Sequence, residues 1–352
     1  MKKLFTLLSL TTALLINAKS PYISKVYDFV PAPGQFVNAM PEYEEGDDKA
    51  SMLLKVEEQI CGDKNPGMIS LGAWGGYVVF SFDHPVVNVK DQYDFKIYGN
   101  AFIGNQATSN GGSCEPGIVL VSYDENGNGM PDDKWYELAG SEYAKESTIH
   151  DYKLTYYKPE ANHEAQSSAD DPHIIDVNYI KWTDNKGGQG YVEKNVFNSQ
   201  DYWPLWLSED SLTFSGCRLE DNAYDQSGNG TYYVQNMLGY GYVDNIPNVD
   251  DQGFKIDWAV DETGKSVHLP AIHFVKVYNA INQTCGWIGE TSTEVCGGED
   301  LHPNAELTGI EDVMVNQNSL AEYYNLQGIK VENPQNGIFI KKQGGKVTKV
   351  RL

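Results

Sequence analysis

Residues 124–133 read Asp-Glu-Asn-Gly-Asn-Gly-Met-Pro-Asp-Asp, and their spacing suits a hard cation. Oxygen-bearing side chains stand at the first, third and fifth positions, Asp124, Asn126 and Asn128. Gly129 follows at the sixth, and acids return at the ninth and tenth, Asp132 and Asp133. Calcium takes about six to eight oxygen ligands. Alternate side chains turn toward one centre, the glycine permits the bend, and Met130 offers its carbonyl at the seventh position. This is the front half of a calcium loop of the EF-hand kind. The twelfth position departs from it: Trp135 stands where a bidentate Glu is expected, so Asp133 or Glu137 must close the shell. The alternative is a merely polar, glycine-rich turn. A catalytic ion is disfavoured, because hydrated calcium activates water poorly and no nucleophile stands nearby in the sequence. Gly117-Ile-Val-Leu-Val-Ser-Tyr123 before the loop and Lys134-Trp-Tyr-Glu-Leu138 after it read as strands, so the loop bridges two strands.

A second set of residues suits an organic ligand. Tyr202-Trp-Pro-Leu-Trp206 and Gly239-Tyr-Gly-Tyr-Val-Asp-Asn245 set rings beside proline, glycine and amides. Exposed rings stack on the C–H faces of sugars while Asp and Asn bond hydroxyls, and a corrin ring would be held by the same tools. Trp203, Trp206, Tyr240, Tyr242, Asp244 and Asn245 are therefore the expected ligand residues, unless the rings fill a core. Glu115, Asp94 and Asn100 lie inside strand-like runs, where a buried polar group must be hydrogen-bonded or coordinate an ion. They suit a second cation site, or they cap loops. For an enzyme there is little: no Gly-x-Ser-x-Gly elbow, no His-Glu-x-x-His and no phosphate-binding glycine loop. The many carboxylates could hide a glycosidase pair, but their number singles out none.

The elements that must position these residues are strands. Helical periodicity is confined to Lys49–Ile60, where Ala50, Leu53, Leu54 and Val56 mark an apolar face. Elsewhere short runs rich in Val, Ile, Tyr and Phe lie between Gly, Asn, Asp and Pro clusters, as in 76–82, 93–98, 152–157 and 273–278. Several alternate apolar with polar, as half-buried antiparallel strands do. The expected fold is all-β: a β-sandwich or jelly-roll-like body with long loops, notably 158–178 and 220–231, followed by a small C-terminal β domain.

The chain carries a formal net charge of −23, and the acidic excess ends near His302-Pro303. Such a field disfavours nucleic acid and anionic membranes and favours cations. Residues 1–18 have a basic start, Lys2-Lys3, then an apolar stretch from Leu4 to Ile16 and a small residue at Ala18. They read as a secretory signal peptide, and no later segment reads as a transmembrane helix. The body is then 19–302 and the C-terminal unit 303–352. In an exported chain the five cysteines can oxidise, and Cys285 with Cys296 is the expected pair. The histidines are scattered without metal spacing and read as ordinary surface or core residues.

Two resemblances sharpen these expectations. Tyr323-Tyr-Asn-Leu-Gln-Gly-Ile-Lys-Val331, Asn336-Gly-Ile-Phe-Ile-Lys-Lys342 and Lys346-Val-Thr-Lys-Val350 resemble the C-terminal sorting domain of type IX secretion cargo in the Bacteroidetes. That resemblance implies delivery across the outer membrane. Ile69–Gly76, Asp94–Phe102, Cys114–Ile118, the calcium loop, Trp182–Asn185, Gly239–Asn245 and Gly286–Val295 resemble a family of secreted "cell surface proteins" of the same phylum. It implies a jelly-roll-like body at the cell surface, with an outer-membrane TonB-dependent receptor as a possible partner. The expected function is an exported, calcium-stabilised binding protein that captures a glycan or a scarce nutrient such as a corrinoid. A glycoside hydrolase and an adhesin or surface assembly subunit are the alternatives.

Overall fold

The computed structural model describes residues 19–104, 111–249 and 252–307, and in the C-terminal segment 321–325, 328–332, 334–335, 337–343 and 346–351. The expected signal peptide, 1–18, lies outside the described residues. Among the described residues strand makes up 37% and helix 6%, so the fold is all-β. No helix among the described residues is long and apolar enough to cross a membrane.

The elements that frame the site are β1 (Lys25–Val30), α1 (Lys49–Ile60), β2 (Tyr77–Ser81), β3 (Gly117–Ser122) and β4 (Trp135–Leu138). They continue with β5 (Ile149–Tyr157), β6 (Ile174–Asp184), β7 (Gln189–Asn195), β8 (Ser211–Arg218), β9 (Ala259–Val260) and β10 (Phe274–Asn279). One antiparallel sheet has the order β1-β2-β10-β3-β4-β9, and a second has β7-β6-β5-β8.

Side chains alternate across the first sheet, so directly paired residues form rows on one face or the other. Phe80, Val275, Val121 and Tyr136 make one such row, and all are buried. They belong to one continuous core with Met52, Val56 and Ile60 of α1. Burial of each large apolar side chain stabilises the fold by roughly 1.5–3 kcal/mol. The next row, Val79, Lys276, Leu120 and Glu137, lies on the other face. That face meets the second sheet, where Tyr77 packs edge-on against Phe214 with ring centroids 6.4 Å apart. The two sheets thus form a sandwich.

The helix occupies the expected span, but its buried stripe is Met52, Val56 and Ile60, and Leu54 is exposed. The stripe is set by i, i+4, i+8 spacing, which places Leu54 on the opposite side. A capping box starts the helix: Asp48 Oδ1 accepts from the Ser51 N–H (2.9 Å) and Ser51 Oγ accepts from the Asp48 N–H (2.8 Å). The expected loops are shorter than read, since β6 begins at Ile174 and a strand Ala223–Asp225 pairs with Tyr233–Asn236. Near the C-terminus, Glu322–Tyr324, Ile338–Gln343 and Lys346–Arg351 form an antiparallel three-stranded sheet, and residues 344–345, where a hairpin turn is expected, lie outside the described residues.

Candidate functional site: a calcium-type loop and the cleft beside it

The oxygen-rich loop joins β3 to β4, which are paired antiparallel neighbours. Its bend is built from side-chain oxygens taking backbone N–H groups. Asp124 Oδ1 accepts from Gly127 (2.7 Å) and Asn128 (3.2 Å), and its Oδ2 accepts from Gly129 (2.9 Å). Asn126 Oδ1 accepts from Asn128, and Asn128 Oδ1 from Met130. Gly127 and Gly129 have φ of 73° and 70°, a region where other residues are strained. The Asn128 and Asn126 amides both donate to Asp132, at 3.0 and 3.1 Å, and hold its carboxyl below the usual range. Asp133 accepts from the Glu125 N–H at 3.0 Å. Asp124, Asn126, Asn128, Met130, Asp132 and Asp133 therefore share one compact turn. The loop is also anchored to the sheet, because the Asp124 N–H donates to His273 Nδ1 (3.1 Å). Glu137 does not close the shell as a substitute for the twelfth ligand. Strand alternation after the turn carries it to the inter-sheet face, where its Oε2 accepts from the Cys217 thiol at 3.1 Å.

That face borders a cleft of about 710 Å³ between the two sheets. Trp135 and Glu137, two residues apart on β4, line one wall, and Tyr152 of β5 and Cys217 of β8 line the other. Tyr143, Asp151, Lys153, Asn185 and the turn 261–264 surround it. Burial pushes the Glu137 carboxyl up to about 7, against the opposing pull of the Cys217 hydrogen bond. Burial and the Glu137 carboxylate push the Cys217 thiol well above its ordinary value. His150 stands on the far side of the sulfur, with Nδ1 3.2 Å from Sγ. None of these three residues was legible in the sequence as a group, since they lie on three separate strands. The only signal was Glu137 at an inward parity within an apolar strand.

The expected aromatic platform is corrected by the structure. Trp203 and Trp206 are 2% and 8% exposed and belong to the main core. Trp206 stacks on Phe29 at 6.0 Å and on Tyr43 at 6.3 Å. Tyr242 is buried, and its hydroxyl accepts from the Glu142 N–H at 2.9 Å. Asp244 and Asn245 are also buried and bond backbone: Asp244 accepts from Asn100, Ala101 and Glu294, and Asn245 bridges Leu238 and Gly239. The cavity beside them measures about 20 Å³, room for a single water and no sugar. Tyr240 alone is exposed, tilted against Trp258 at 4.8 Å. Pro204 is buried beside them, and Gly241 (φ 92°) lies where a Cβ would stand 2.6 Å from Gly140 Cα.

The grouping of Glu115 with Asp94 and Asn100 is likewise corrected. Glu115 lies with Asp244 and Glu294, their carboxylate oxygens within 4.8 Å of one another. Burial raises all three carboxyls, and repulsion from Glu115 adds to this at Asp244 and Glu294. The group is served by internal donors, among them Gln235 and Ser292 to Glu115 and the Ser292 hydroxyl to Glu294. Asp94 stands apart, accepting from the Val89 and Ile256 N–H groups, and burial raises it to about 6. Asn100 enters only through its backbone N–H to Asp244. All five cysteines are free, so Cys285 and Cys296 are not bridged. Cys285 precedes the turn Gly286–Ile288, while the Cys296 N–H is tied to the Tyr98 carbonyl. The chain matches no family model and no curated protein.

Proposed function

We propose that the chain is an exported binding protein whose inter-sheet cleft captures a glycan and whose β3–β4 loop binds calcium. The observation that carries this reading is the continuity of the two sites. The loop ends at Asp133, and two residues later Trp135 enters the cleft wall, followed by Glu137. An ion that orders the loop would therefore fix the start of β4 and with it that wall. The cleft falls within the range of small-ligand sites, about 300–1,000 Å³. It combines the partly exposed rings of Trp135 and Tyr143 with Asp151, Lys153 and Asn185, which suits C–H stacking with hydroxyl trimming. Trp203 and Trp206, expected to serve a glycan or a corrinoid alike, are core, so the reading rests on the cleft rather than on them. Export and surface delivery rest on the sequence of residues 1–18 and of the tail. Titration of the full chain with a glycan panel by calorimetry tests the reading. Trp135→Ala should weaken binding at least tenfold and chelation should weaken it less. A panel with no heat signal, or unchanged affinity in Trp135→Ala, would reject the cleft as the site.

One observation favours a second reading, glycoside hydrolysis. A carboxyl raised to about 7 is suited to act as a general acid, and Asp151, Asp261 and Glu262 line the same cleft as Glu137. Release of reducing sugar that is abolished by Glu137→Gln would establish it. Binding without release in both proteins would leave the binding function alone.

A further inference from the structure

A second recess opens at the other edge of the four-stranded sheet. In the order β7-β6-β5-β8 the cleft is lined from β5 and β8. The recess is lined from β6 and β7, by Trp182, Tyr191 and Val192, and from Glu290 and residues 281–284. The two share no lining residue. The recess measures about 220 Å³. That lies below the roughly 300–1,000 Å³ of drug-sized sites, so it has room for one ring rather than a chain.

Glu290 is the unusual group in its wall. It is 5% exposed, and its Oε1 accepts from the Gln35 N–H at 2.7 Å. Its Oε2 is buried and has no hydrogen-bond partner among the described residues. Burial, with the Glu115 carboxyl adding to it, holds Glu290 well above the ordinary carboxylate range. The neutral acid carries its proton on Oε2, because Oε1 is engaged as an acceptor, and that O–H has nothing to donate to. Buried polar atoms are nearly always bonded, so an orphan marks the place of a partner from outside the fold. The backbone holds the group there. Gly289 has φ of 109°, a Cβ on it would stand 2.8 Å from Gln35 Oε1, and Glu290 bridges to Thr284 across the turn. The aromatic wall is built as well. Trp182 lies opposite Gly190 of the edge strand, and a Cβ at Gly190 would stand 2.6 Å from the Trp182 ring. Glycine in a strand marks such a close approach, and here it lets the indole lie across β7 beside the recess.

We infer that this recess is a second carbohydrate subsite, which takes a single pyranose-sized ring. The Trp182 indole stacks on the C–H face of the sugar, and the Glu290 O–H donates to one of its oxygens. Asp221 and Thr284, exposed at the rim, trim the hydroxyls. The subsite rests on the glycan reading for its ligand class and is independent of the cleft and of the calcium loop.

Fluorine NMR of the full chain labelled with fluorotryptophan tests the proposal. The chain has seven tryptophans, and Trp182→Phe and Trp135→Phe assign the two resonances that report the recess and the cleft. Glucose, galactose, mannose and N-acetylglucosamine are titrated singly. At least one should move the Trp182 resonance saturably. Glu290→Gln keeps an oxygen for the Gln35 N–H and an N–H for the sugar, so it should bind as the native chain does. Glu290→Leu should weaken binding about tenfold. Gly190→Ala, which displaces the indole, should weaken it too, and it decides the matter if the Leu variant does not fold. Movement of Trp135 without Trp182 would overturn the recess and leave the cleft reading standing, and movement of Trp182 without Trp135 would do the reverse. An unmoved Trp182 resonance, as a recess filled by water alone would give, or native affinity in both Glu290→Leu and Gly190→Ala would overturn the proposal.

Discussion

The loop reading makes a thermodynamic prediction that a single substitution can isolate. Asp124 is the hub of the turn: its two carboxylate oxygens accept from three backbone N–H groups, at 2.7, 3.2 and 2.9 Å. Asp124→Ala removes these bonds whether or not an ion is present. By analogy with the loss of a helix N-cap, where one side-chain oxygen also holds backbone N–H groups, that costs about 1–2 kcal/mol. The freed N–H groups of Gly127, Asn128 and Gly129 are exposed and can turn to water, which keeps the cost at this level. Calcium adds a separate contribution. An ion bound only by the folded chain at a hundredfold excess over Kd stabilises it by about 2.7 kcal/mol. Native and Asp124→Ala proteins should therefore differ by about 1–2 kcal/mol in chelator and by about 4–5 kcal/mol in calcium. In a chain of this size each kcal/mol moves Tm by roughly 2 °C, so calcium should raise the native Tm by about 5 °C and leave the variant nearly unmoved. Calorimetric melting of both proteins, with chelator and with millimolar calcium, gives the four values. An equal difference between the proteins in both conditions would show that the turn is held by its own hydrogen bonds and takes no ion.

Trp206→Ala should cost about 3–5 kcal/mol in urea unfolding, because it empties a site packed against Phe29 and Tyr43. Tyr240→Ala should stay within about 0.5 kcal/mol, and equal losses in the two would refute this division of core and surface. Burial raises Asp94, Glu115, Asp244 and Glu294 in the folded chain. The folded state then holds more protons than the unfolded state between the ordinary carboxylate range and the raised values. Their contribution is whole below about pH 4 and is lost as pH rises through the folded values, so stability should fall from about pH 5 to pH 8, by at most about 1.4 kcal/mol per unit for each group. Stability that rises over that interval in denaturant melts would show that these carboxyls are ionised in the fold. Deletion of residues 303–352 should leave the body folded but retained in the periplasm, and normal delivery of the truncated protein to the surface or medium would exclude a sorting role for the tail.

What the sequence reveals here follows the range over which each feature is determined. The turn at 124–133, α1 and the strands at 77–81 and 274–279 are local: glycines, a capping box and alternation act over a few residues, and all are legible in one dimension. The inter-sheet cleft is not local. Glu137 and His150 are brought to either side of Cys217 by sheet order and by the register shift between Ile149 and Tyr152, across separations of 80 and 67 residues. Composition also misleads where chemistry is shared. Trp203 and Trp206 look alike as a sugar platform and as core, since both roles use the same flat apolar ring, and only the facing side chains decide. Asp244 resembles a ligand residue by type, yet its carboxylate accepts three backbone N–H groups and pins two loops. In a sandwich the decisive quantity is which face of a strand a polar residue occupies. Glu137 at an inward position is costly to bury, and the fold offsets part of that cost with the Cys217 thiol, which is why chemistry is to be sought there.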